Sequence, residues 1–167
     1  MKAAGFVMIL TAALLFTLQR LEAERKKADT LRELSALLEQ MEALLESEAP
    51  PMPELIGRLR LRARGGAEAF LSVLSLSLDR LGERSFSELW REALSACPAL
   101  PEQARWELER LGAVLGRCTL ETQAEALKTA RRSLRSLAEQ THRELPEKRR
   151  LLLGLALAAA LLGIVLI

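Results

Sequence analysis

Few side chains in this sequence could do bond-making chemistry: its 167 residues hold one histidine, two cysteines and no tyrosine. His142 could move a proton, a thiolate at Cys97 or Cys118 could attack an electrophile, and the three together could seed a zinc site. None of these has the company it needs. The cysteines are far apart in the chain with no histidine beside either, and His142 stands in a basic flank where a solvent-facing position is the plainer reading. Glu107 and Glu109 are two residues apart, which places them on different sides of a helix, so they read as a solvated surface. No glycine-rich phosphate loop occurs, and Gly65-Gly66 reads as a helix stop. The sequence therefore predicts no catalytic residue, no metal ligand set, no cofactor and no small-molecule substrate.

What remains is a contact surface. Arg58, Arg60, Arg62 and Arg64 are expected to put four guanidinium groups on the exposed side of the short second helix, next to an acidic stretch holding Glu42, Glu46 and Glu48. Arginine is favoured at protein interfaces, so these residues, with Glu42 and Glu46, form a candidate interface for an acidic protein partner. The bland alternative is a solvated helix face. Nucleic acid fits less well, because 24 basic and 22 acidic side chains nearly cancel and the region lacks aromatics for stacking.

These residues must be carried by helices. Half of the residues are hydrophobic and only 4% aromatic, and the apolar share is mostly Leu and Ala interleaved with Glu and Arg. That composition favours an all-α fold over strands. Leu31, Leu34, Leu38, Met41 and Leu45 advance by three and four, a helical seam that must end at Pro50-Pro51-Met52-Pro53. A second helix opens near Pro53 with Leu55, Ile56 and Leu59 inside, and a third is expected over Ala67–Leu81. Ser85 and Glu88 have capping-box spacing for a fourth, which carries Leu89, Trp90, Ala93 and Leu94. A fifth starts at Pro101 and is expected to bury Trp106, Leu108, Leu111 and Leu115. Thr119 caps a sixth with Leu127, Leu134 and Leu137 on one side, and Pro146 is a candidate kink. Both cysteines read as small buried hydrophobes.

The ends are different. Ala3–Leu18 and Leu151–Ile167 are uncharged runs of 16 and 17 residues; as helices they are roughly 24 to 26 Å long, marginal for a hydrocarbon core of about 30 Å. The first lacks a small-x-small cleavage site, which favours an uncleaved anchor over a signal peptide. The expected organisation is a transmembrane helix over 3–21, a helical bundle over 22–150 and a second transmembrane helix over 151–167. Arg20, Arg25, Lys26 and Lys27 flank the first span, and Lys148, Arg149 and Arg150 the second. By the positive-inside rule the bundle is cytoplasmic and both termini lie outside the cytoplasm.

If the first and last helices rise side by side, residues at equal distance from the two apolar runs should face each other. Glu33 then matches Arg135, Glu39 matches Arg131 and Glu42 matches Lys128. Such pairs set register more than stability.

The ordered segments resemble the stage III sporulation protein AB family. The likeness is carried by Leu21-Glu22-Ala23-Glu24-Arg25, Leu31-Arg32-Glu33-Leu34 and Met52-Pro53-Glu54-Leu55. Further on come Phe86-Ser87-Glu88-Leu89-Trp90 and Leu111-Gly112-Ala113-Val114-Leu115-Gly116 with Gln123. The motif positions are Pro53, Glu54, Leu55, Gly112, Leu115, Gly116 and Gln123. Cys118-Thr119 stands where the family usually has Ser-Asp. The resemblance implies a compact antiparallel six-helix bundle similar to platform domains of type II secretion and type IV pilus machines. It also implies a non-enzymatic part of the channel joining mother cell and forespore, which holds the secretion-like ATPase, stage III sporulation protein AA, at the mother-cell membrane and touches other channel subunits. The alternative is a platform or accessory protein of an ordinary secretion or pilus system.

Overall fold

The computed structural model describes residues 2–165, with side chains at 11, 15–146, 150, 151 and 154. Six α-helices follow one another: α1 (Lys2–Ser47), α2 (Met52–Arg60), α3 (Gly65–Ser77), α4 (Phe86–Leu94), α5 (Glu102–Val114) and α6 (Leu120–Val165), with a 3₁₀ turn at Leu78–Arg80. The expected helix count and order hold. α1 and α6 pack as a long antiparallel pair; α2 and α3 lie against α1, α5 lies against α6, and α4 bridges α3 and α5. The core runs from Leu31, Leu34, Leu38 and Met41 on α1 through Leu55, Phe70, Leu74, Trp90 and Leu108 to Leu127 and Leu134 on α6, all essentially excluded from solvent.

The apolar ends expected to cross a bilayer fall mostly on side chains outside those described. Lys148 and Arg149 fall there too. Among the described residues no helix is long and apolar enough to cross a membrane. α6 continues through Pro146, whose missing N–H leaves the His142 carbonyl without its intrahelical donor.

Local signals mark most boundaries. Pro53 lies in the first turn of α2, Ser85 and Glu88 form the capping box of α4, and the Thr122 N–H donates to Thr119 Oγ1 at 3.4 Å to cap α6. Four expectations need correction. Gly65-Gly66 does not stop α2, which ends earlier at Arg60; the pair opens α3 instead. Gly65 takes φ +56°, and the Gly66 N–H donates to Glu33 Oε2 of α1 at 2.6 Å. A carboxylate is thus held at a helix N-terminus, where the free N–H groups favour negative charge. The third helix ends at Ser77, not Leu81, and leaves Leu76 exposed. Trp106 is 58% exposed, because two residues, or about 200° of helix, separate it from the buried Leu108. Cys118 is also exposed, beyond the Gly116 turn, whereas Cys97 is buried; both are free thiols.

Candidate protein-docking surface

The α1–α6 stem is ordered by charge. Arg131 Nη1 lies 3.2 Å from Glu39 Oε1, and its Nε 3.6 Å from Glu42 Oε2. Lys128 Nζ reaches Glu46 at 3.2 Å, Glu125 at 3.8 Å and Glu42 at 3.9 Å. Glu46 foremost, through its hydrogen bond and charge, raises the Lys128 ammonium above its ordinary value. Two of the three counted pairs therefore form. The third does not: Glu33 is spent on Gly66, and Arg135 pairs with Glu139 one turn along its own helix at 3.3 Å. Glu42 is only 8% exposed, so it and Glu46 belong to the stem and do not join the arginines of α2.

Those arginines divide. Arg58 bonds Glu48 Oε2 at 2.5 Å and Glu54 Oε1 at 2.7 Å, and Glu48 above all raises its guanidinium above the ordinary value. Arg60, two residues on and so on another side of the helix, points to α3 and donates to Ser75 Oγ at 3.3 Å. The chain leaves the helix after Arg60, which is why Arg62 and Arg64 can face the same solvent despite their alternate spacing. Neither has an ion-pair partner among the described residues. Between them and α1 run two hollows of about 420 and 160 Å³ that share Gln40 and Arg62. The surface can therefore bind negative charge.

The motif positions are structural. Pro53 and Glu54 begin α2, with Glu54 clamping Arg58, and Leu55 is fully buried. Gly112 lies against the Trp90 ring, so that a Cβ there would collide with the indole. This closeness lets Trp90 Nε1 donate to the Leu108 carbonyl at 2.7 Å. Phe70 completes the site edge-on, its ring centroid 4.8 Å from that of Trp90. Leu115 is fully buried, Gly116 adopts φ +75°, and Gln123 Nε2 donates to the Cys118 carbonyl at 2.7 Å, closing the turn into α6. Arg105, unremarked in the sequence, donates to the Leu94 and Cys97 carbonyls at 2.9 and 3.2 Å and so caps α4 from α5. Only the basic side chain in the first turns of α5 hinted at it.

At the expected membrane flank, Arg20 lies over the Phe16 ring and Lys27 pairs with Glu24 at 2.9 Å, while Arg25, Lys26 and Arg150 are exposed. His142 is exposed on α6. Burial raises the Cys97 thiol above its ordinary value and keeps it protonated. No group of three or more metal-ligating side chains occurs among the described residues.

Comparison with curated proteins gives no match. A solved structure titled stage III sporulation protein AB shares the fold, with a TM-score of 0.64 at 20% identity over 72% of this chain and 96% of that one. The family model described as stage III sporulation protein AB matches residues 2–167. With its motif glycines at the α4–α5 contact and the turn into α6, and a family match along almost its full length, the chain belongs to the stage III sporulation protein AB family.

Proposed function

We propose that this chain is a non-enzymatic scaffold of the sporulation channel between mother cell and forespore, which docks the secretion-like ATPase, stage III sporulation protein AA, at the membrane. Membership of the sporulation family carries the reading. Its support in the molecule is the antiparallel stem, because the pairing of Glu39 with Arg131 and of Glu42 with Lys128 sends the two apolar ends out of the same end of the bundle. Two anchors at one end suit a body held at the mother-cell or outer forespore membrane, with the bundle in the cytoplasm and both termini beyond it. The basic α2–α3 surface is the ATPase-facing side in this reading. A platform or accessory role in a type II secretion or pilus-like system would use the same architecture, and a gene neighbourhood of channel components separates the two.

The test is recovery of the ATPase with the tagged full chain from sporulating cells. Arg58→Glu with Arg62→Glu should reduce recovery severalfold, and undiminished recovery removes the assignment of this surface. Topology has its own readout: Cys118, the exposed thiol, should resist a membrane-impermeant maleimide in intact protoplasts and react once they are opened.

A further inference from the structure

The two hollows beside the arginines are lengths of one groove. Its floor on α1 is Ala36, Gln40, Ala43 and Ser47, and its far wall is Leu59 with Ala63. From Ala36 to Ser47 is ~16 Å of helix axis, the length of a three-turn helix. The lining sets Arg58, Arg62 and Arg64 against Glu33 and Glu48; Glu48 pairs with Arg58 and Glu33 accepts from the Gly66 N–H, so no ion pair among the described residues takes up Arg62 or Arg64. Arg62 and Arg64 keep their charge open to solvent. At the rim stands Leu61, 88% exposed, a large apolar side chain beside unpaired arginines.

We propose that this groove receives an acidic amphipathic helix of about three turns from a partner protein, its apolar face on α1 and Leu61 and its carboxylates on Arg62 and Arg64. The proposal rests on the docking reading above and adds the chemistry of what docks. A helix fits because the site is a trough along about three turns of α1, walled by the end of α2 and the segment that follows it. A protein is favoured over nucleic acid because the lining contains no aromatic side chain on which a base could stack. Open charge at the rim steers encounter and selects the sign of the partner, while Ala36, Ala43 and Leu44 of α1 with Leu61 supply the apolar contact.

The experiment uses the full chain in its own membrane with a photo-crosslinking benzoylphenylalanine at Ala43 or at Leu61, and a control at the exposed Arg132 of α6; captured peptides are identified by mass spectrometry. Both groove positions should capture one segment of net negative charge with apolar residues spaced i, i+3 or i+4, i+7. Arg62→Glu with Arg64→Glu should cut the yield at least fivefold. Ala43→Trp, at an exposed position that leaves the core intact, should block capture from Leu61 to a similar degree at unchanged helicity. Capture of a neutral or basic segment, a second copy of this chain, lipid or nucleic acid overturns the proposal, as does a yield no higher than at Arg132 or one unmoved by the variants. An acidic segment from a protein other than the ATPase keeps the groove and removes the ATPase from this surface. Capture of the ATPase from Arg132 alone keeps docking and removes the groove.

Discussion

The α4–α5 contact and the α1–α6 stem are held together by different means. At the first, Trp90 lies on the backbone of α5, with Gly112 leaving room and the Leu108 carbonyl accepting the indole N–H. At the second, a leucine seam buries the shared face while partly exposed ion pairs run along its edge. Shape fit is unforgiving of a single methyl group, whereas a charged edge tolerates loss of any one pair because each is worth little in water. The small body is thus fixed by sterics and the long stem by register.

The contrast breaks most sharply at glycine. Alanine in an open helix is more stable than glycine by up to about 1 kcal/mol, and Gly57 on α2 has nothing within 4 Å of a built Cβ, so Gly57→Ala should raise the thermal midpoint in detergent. Gly112→Ala should lower it, because pushing the indole away costs about 1 to 3 kcal/mol and strains its hydrogen bond. Equal and positive shifts for the two would dissolve the distinction. Next in size, Glu33→Ala should cost about 1 kcal/mol by uncapping α3, with faster amide exchange at Gly66 and its neighbours; protection unchanged there would mean that the carboxylate does not hold the turn.

The stem itself calls for a double-mutant cycle. Glu39→Arg and Arg131→Glu should each destabilise slightly, and the double reversal should recover up to about 1 kcal/mol of coupling. The same cycle at Glu33 and Arg135, which do not pair, should show none. Smallest is a pH effect confined to α4. The Ser85 N–H and hydroxyl lower the Glu88 carboxyl, and hydrogen bonds from Arg80 and Arg84 lower that of Glu92. Because both are lower when folded than when unfolded, their stabilisation is complete above the ordinary carboxylate range and disappears as pH falls through their folded values. Glu88→Gln with Glu92→Gln should flatten the acid limb of the stability curve below about pH 5; an unaltered limb would show that other carboxylates control it.

Much of this was legible along the chain because the causes were local. Prolines at 50, 51 and 53, the Ser85–Glu88 box and the Thr119 cap announce their turns, and counting from the apolar runs found Glu39 opposite Arg131. Where the cause was distant, local reading failed. Nothing near Gly65-Gly66 reveals that Glu33 will arrive from another helix, so a helix start looked like a stop. With Glu33 held at Gly66, its counted partner Arg135 pairs instead with Glu139 on its own helix. Trp106, expected inside with Leu108, faces out because about 200° of helix separates the two. The surface divided for the same reason: the four arginines are visible as a cluster, but which of them are neutralised depends on where Glu48 and Glu54 come to lie.

The two long helices differ in one respect. From Gln19 to Ser47 α1 contains neither proline nor glycine, whereas α6 carries Pro146. α1 therefore keeps every backbone donor along that stretch, whereas α6 lacks one at Pro146 and is the easier of the two to bend there.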